Sequence, residues 1–174
     1  MTSHPHTKAV LVTGLFTIFG LAGWFLSPQP SAAWTQAVLY GLLMVHTWFS
    51  VRLFFGLIDP KDARQQIINV VLVVAYAGLA WSMRSPLLFY FVWTSFFTLT
   101  VLKYVLLIGR FEYRRLLRRK LIADVSGIGL GILMVALLAF WPNQPWHNLA
   151  IILFGFSCVY YLFLCPLYDA REQV

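Results

Sequence analysis

Apolar residues run along this chain in long blocks with almost no polar alternation. Six stretches stand out: Ala9–Leu26, Ala33–Leu57, Gln66–Trp81, Leu87–Gly109, Leu121–Trp141 and Trp146–Leu164. A bilayer core ~30 Å thick needs about 20 mostly apolar residues per spanning helix, and each stretch comes near that length. Barrel strands alternate apolar and polar positions, whereas these stretches are apolar on every side. The pattern predicts an all-α integral membrane protein, a single domain over residues 1–174 with six transmembrane helices arranged as three consecutive hairpins.

Composition agrees. Of the 174 residues, 60% are hydrophobic and 11% are charged, against roughly 25% charged in a soluble domain. The mean hydropathy is +0.77. A disordered chain, a small disulfide scaffold and almost any water-soluble globular domain are excluded. Cys158 and Cys165 stand seven apart on one predicted helix, ~10 Å along its axis and beyond the reach of a disulfide.

Charge sets the expected orientation. Lys8, Lys61, Arg64, Arg110, Arg114, Arg115, Arg118, Arg119, Lys120 and Arg171 fall on one side of six alternating helices; Arg84 alone falls on the other. The positive-inside rule then places both termini in the cytoplasm and the protein in the cytoplasmic (inner) membrane. The net charge of +7 is mostly this bias. It carries no nucleic-acid motif, so no nucleic-acid partner is expected. Lys8 precedes an apolar run longer than the 7–15 residues of a signal-peptide core, so the first stretch is expected to be a retained helix.

Each odd stretch ends in Trp followed by Pro: Trp24 to Pro28, Trp81 to Pro86, Trp141-Pro142. Trp favours the membrane interface and Pro ends helices. The opposite ends echo as well, with Asp62-Ala63-Arg64-Gln65-Gln66 and Asp169-Ala170-Arg171-Glu172-Gln173. The echo fits three repeats of ~55 residues. Gly14, Gly20 and Pro28, then Gly127, Gly129 and Gly131 running to Trp141-Pro142, with Gly41 and Gly155 in the second helices, give the chain its family likeness. On these residues it resembles the HdeD-like small bacterial membrane proteins. The second hairpin departs from that pattern, with Ala75, Ala77 and Gly78 in place of more glycine. The resemblance implies a bacterial inner-membrane protein linked to acid or envelope stress and without enzymatic chemistry.

Charges inside apolar spans are expensive in lipid and mark candidate sites. Arg52, Lys103 and Asp124 all fall in the cytoplasmic half. Asp124 could pair with Arg52 or Lys103, leaving a positive charge to hold a lipid phosphate or small anion, or it could accept from Lys120 one turn away. Arg52 and Lys103 could equally snorkel to the headgroups. His46 lies near the midplane, where an imidazole could serve a tetrapyrrole or quinone, relay a proton, or simply hydrogen-bond to Thr47, Ser95, Thr98 or a backbone carbonyl. Ala123, Gly127 and Gly131 share one helix face, suited to a dimer contact or to packing within the bundle. Arg110, Arg114, Arg115, Arg118, Arg119 and Lys120 form a basic segment that reads as a short amphipathic helix on the membrane surface, facing anionic lipid of the cytoplasmic leaflet.

Neither a metal-ligand cluster nor a hydrolase or phosphate-loop motif is found in the chain, and no cofactor is read from it. The expectation is a non-enzymatic, multi-pass membrane protein acting through lipid contact, oligomerisation or a membrane-protein partner. The alternatives are a small transporter or channel subunit using Arg52, Lys103 and Asp124, and a tetrapyrrole- or quinone-binding subunit using His46.

Overall fold

The computed structural model describes residues 5–54, 62–108, 114–142 and 144–164. Those residues are almost entirely helical. The helices are α1 (Pro5–Phe25), α2 (Trp34–Phe54), α3 (Ala63–Trp81), α4 (Pro86–Ile108), α5 (Arg114–Phe140) and α6 (Trp146–Val159). A 3-10 turn over Ser82–Arg84 follows α3, and a π-type turn over Tyr160–Leu164 extends α6. Five helices are long and apolar enough to cross a membrane; the sixth, Trp146–Leu162, is shorter.

Local chemistry sets the ends. Asp62 caps α3 by accepting from the Arg64 amide at 3.0 Å, so this helix begins three residues before the predicted Gln66. The Ser82 hydroxyl donates to the Leu79 carbonyl at 2.8 Å and closes the same helix. Pro86 opens α4 where its missing N–H costs nothing. The larger change is in α5. It starts at Arg114, seven residues before the predicted Leu121, and runs unbroken to Phe140. Arg114 through Lys120 are therefore the first two turns of a long helix and not a separate surface helix. No Pro or Gly interrupts the chain there, and Leu116, Leu117 and Lys120 are buried against the bundle.

The helices form a closed circuit. Each consecutive pair α1–α2, α3–α4 and α5–α6 packs together; α4 lies along α5, α1 along α3 and α2 along α6. Going round, the order is α1, α2, α6, α5, α4, α3. The contacts that join one pair to the next are thus of three different kinds. The core inside the circuit is largely aromatic: Phe89, Tyr90, Trp93 and Phe96 are fully buried with Leu39, Leu79 and Met134. A second, smaller cluster of Phe54, Tyr104, Leu107, Leu116 and Leu117 lies at the end where α5 begins, here termed the basic end.

Glycines permit the closest approaches. A β-carbon at Gly127 would stand 2.6 Å from the Phe97 ring, and one at Gly131 2.2 Å from Thr94 Oγ1. The Trp93 indole donates to the Gly127 carbonyl at 3.1 Å. The Ala123–Gly127–Gly131 face is therefore spent on α4 within the bundle. Between α1 and α3, a β-carbon at Gly23 would stand 2.2 Å from the Ala80 carbonyl oxygen. Outward faces are apolar, with Leu11, Ile18, Phe25, Val70 and Val74 exposed. Only 22–39% of each long apolar stretch is buried inside the protein, so most of its surface faces outward.

Candidate functional site: a polar cavity at the basic end

The circuit of helices encloses a cavity of about 520 Å³ at the basic end, walled by α1 to α5. Helical spacing delivers its polar lining. His46, Thr47 and Ser50 follow one another around one face of α2, Gln65, Asn69 and Tyr76 on α3, Thr100, Lys103 and Tyr104 on α4, and Lys120 and Asp124 on α5. Aromatic side chains close the cavity away from the basic end. Phe16 stacks on Tyr76 with ring centroids 4.0 Å apart, and Tyr76 meets Phe96 edge-on at 4.7 Å. The Thr47 hydroxyl donates to the Leu43 carbonyl at 2.8 Å and accepts from the Tyr76 hydroxyl at 2.6 Å.

The electrostatic centre is a buried ion pair. Lys120 donates to Asp124 Oδ1 one turn along α5. Asp124 is 0% exposed and Lys120 5%. The second carboxylate oxygen, Oδ2, is buried without a hydrogen-bond partner among the described residues, as is Gln65 Oε1. Thr100 stands beside the carboxylate; its hydroxyl donates to the Phe97 carbonyl at 2.8 Å. Lys103 reaches across to α3 and donates to Asn69 Oδ1 at 2.7 Å. It lies within electrostatic range of both Lys120 and Asp124. The Tyr104 ring lies near both ammonium groups, its centroid 5.5 Å from Lys120 Nζ and 6.0 Å from Lys103 Nζ. Two ammonium groups, Lys103 and Lys120, thus line one cavity with the single carboxylate of Asp124 among its described lining residues. A buried charge is costly unless it is paired, and the surplus here is positive.

The predicted site residues separate. Lys103 and Asp124 line the same cavity, where Asp124 is paired with Lys120 and Lys103 with Asn69. Arg52 does not. It is exposed, its guanidinium lies 5.4 Å from the Trp48 ring, and the Asp124 oxygen it could have taken is held by Lys120. The reason is helical register: Lys120 and Asp124 are four residues apart on one face. Lys120 also leaves the predicted surface segment. Arg118 remains exposed and Arg119 half-buried at the basic end. Arg110 and the side chains of Arg114 and Arg115 lie outside the described residues. His46 is buried and lines the cavity. Ser95 and Thr98, considered as its partners, turn back on the carbonyls of Phe91 and Thr94.

Gln65, Asn69, Thr100 and Tyr104 were not singled out from the sequence. A signal was present: polar side chains recur at helical spacing on α3 and α4 within otherwise apolar runs. Their convergence needed the helix positions. No family model, curated protein or solved structure matches the chain.

Proposed function

We propose that the chain is an integral membrane protein of the inner membrane, with both ends in the cytoplasm, and that its working part is the polar cavity. The cavity binds a ligand through an anionic group and does no covalent chemistry on it. Five long helices with apolar outward faces support insertion, because a soluble protein rarely leaves contiguous apolar surface of that extent in water. The bias of Lys and Arg supports the orientation. The single observation that carries the binding role is that two ammonium groups, Lys103 and Lys120, and one carboxylate, Asp124, line the same cavity. Intramembrane ionisable groups that face a cavity mark ligand or ion sites. Exposed Arg118 at the same end favours anionic lipid of the cytoplasmic leaflet as a neighbour. The HdeD-like resemblance adds an envelope-stress setting to this reading.

Native mass spectrometry of protein released from mild detergent tests the binding role. An anionic adduct should be retained by the wild type and by the Arg118→Gln variant, and depleted at least tenfold in Lys103→Met. Identical spectra for all three would overturn the reading. A visible absorption band would instead favour a chromophore at His46.

A second reading is transport. The packed aromatic layer of Phe16, Tyr76 and Phe96 lines the cavity away from its charged residues, an arrangement that suits a carrier open to one face. Uptake of the retained species into proteoliposomes, lost in Lys103→Met, distinguishes transport from simple binding.

A further inference from the structure

We infer that the cavity receives its ligand sideways from the surrounding lipid, through a slot between α1 and α3, and that this ligand is a single-chain anionic amphiphile. The inference rests on the reading of the cavity as an anion site and adds the route and the class of molecule.

The exposed part of the lining locates the opening. Leu11, Gln66, Asn69 and Val73 are exposed, and all four belong to α1 or α3; the lining residues of α2, α4 and α5 are buried or half-buried. The same two helices are locked together further from the basic end, where Gly23 admits the Ala80 carbonyl and Phe16 stacks on Tyr76. The opening is therefore a slot below that lock. Its lips pair two apolar side chains, Leu11 66% and Val73 40% exposed, with the amides of Gln66 and Asn69. The neighbouring outward residues Val70 and Val74 are apolar as well. The apolar side suits an acyl chain, and the two amides suit the headgroup that leads it inward.

Behind the lips lie the charges. Asn69, at the slot, holds Lys103 by its carbonyl oxygen, so an entering headgroup meets that ammonium before the Lys120–Asp124 pair. An ammonium carries three donors and Lys103 gives one of them to Asn69, so others remain for phosphate or carboxylate oxygens. Asp124 Oδ2 and Gln65 Oε1, buried and unbonded among the described residues, can accept from a hydroxyl or a protonated phosphate oxygen. A volume of about 520 Å³ falls within the ~300–1,000 Å³ of small-molecule sites. It holds a headgroup and the first part of one chain, the remainder leaving over Leu11 and Val73.

The test uses the full chain in phosphatidylcholine nanodiscs, with occupancy read by native mass spectrometry. Three probes separate the contributions: lysophosphatidic acid, lysophosphatidylcholine with the same chain, and glycerol 3-phosphate with the same headgroup and no chain. Lysophosphatidic acid should bind at least tenfold more tightly than either of the others. Val73→Trp, which fills the slot, should cut its occupancy at least tenfold, with Leu11→Trp as the second variant should the first fold poorly. Glycerol 3-phosphate binding as tightly as lysophosphatidic acid, with both lip variants silent, would overturn the lateral route and leave the anion site standing. Equal binding of lysophosphatidylcholine, with Lys103→Met also silent, would overturn both.

Discussion

Lys120 and Asp124 form a buried ion pair within a single helix, one turn apart on α5 and directed into the cavity. The pair ties no two helices together. Its order, with the cation nearer the helix N-terminus, is the less favourable one for an i,i+4 pair. Its place is better explained by what it presents to the cavity than by what it adds to α5.

Removing one member should be costly, and removing both should not. Lys120→Met or Asp124→Leu alone leaves an uncompensated buried charge, a loss of about 3–5 kcal/mol. The double variant should recover most of that loss. Thermal unfolding of the four proteins in one detergent checks this. Additive losses would mean that the two groups do not stabilise each other.

Glycine substitutions on α5 should divide sharply. Gly127→Ala and Gly131→Ala push a methyl group into Phe97 and Thr94, and overpacking of that kind costs about 1–3 kcal/mol. Gly129 has nothing within 4 Å of its would-be β-carbon. Gly129→Ala should be neutral or stabilising by up to ~1 kcal/mol, the helix-propensity gain. Midpoints of thermal unfolding for the three variants decide it.

The Thr47–Tyr76 hydrogen bond should contribute modestly. Tyr76→Phe removes one bond while Thr47 keeps the Leu43 carbonyl as acceptor, so the cost should be about 0.5–1.5 kcal/mol. The Phe16 stack survives this change. Tyr76→Ala removes the stack as well and should cost distinctly more, as the unfolding midpoints of the two variants will report.

Orientation is testable with reporter fusions. A fluorescent protein at the C-terminus should be bright, and alkaline phosphatase fused after Pro142 should be active, if the basic end is cytoplasmic. The opposite pattern would invert the protein and move the cavity to the other leaflet.

Much of the architecture was legible in the chain because helices long and apolar enough to cross a membrane show as long apolar runs. Helix boundaries followed the expected stretches closely except at α5, where a charged opening was read as a separate element. Length and charge alone do not say whether two basic turns stand apart or continue into the next helix; Leu116 and Leu117, buried against α4 and α2 side chains such as Tyr104 and Phe54, settle that. At the site, Asp124 and Lys103 were legible as expensive charges. Arg52 looked equivalent to Lys103 by depth, yet it points outward while Lys103 points inward.

The sequence by itself determined that the chain is helical, how many apolar helices it carries and where its positive charge concentrates. Those properties depend on residue type summed over a local window. Only the tertiary structure decided that α1 closes on α3 and α2 on α6, that the face of Gly127 is filled by Phe97, and that Asn69, Lys103, Lys120 and Asp124 share one cavity. These depend on which face each helix turns to its neighbours, and that choice is made by packing between residues distant in the chain.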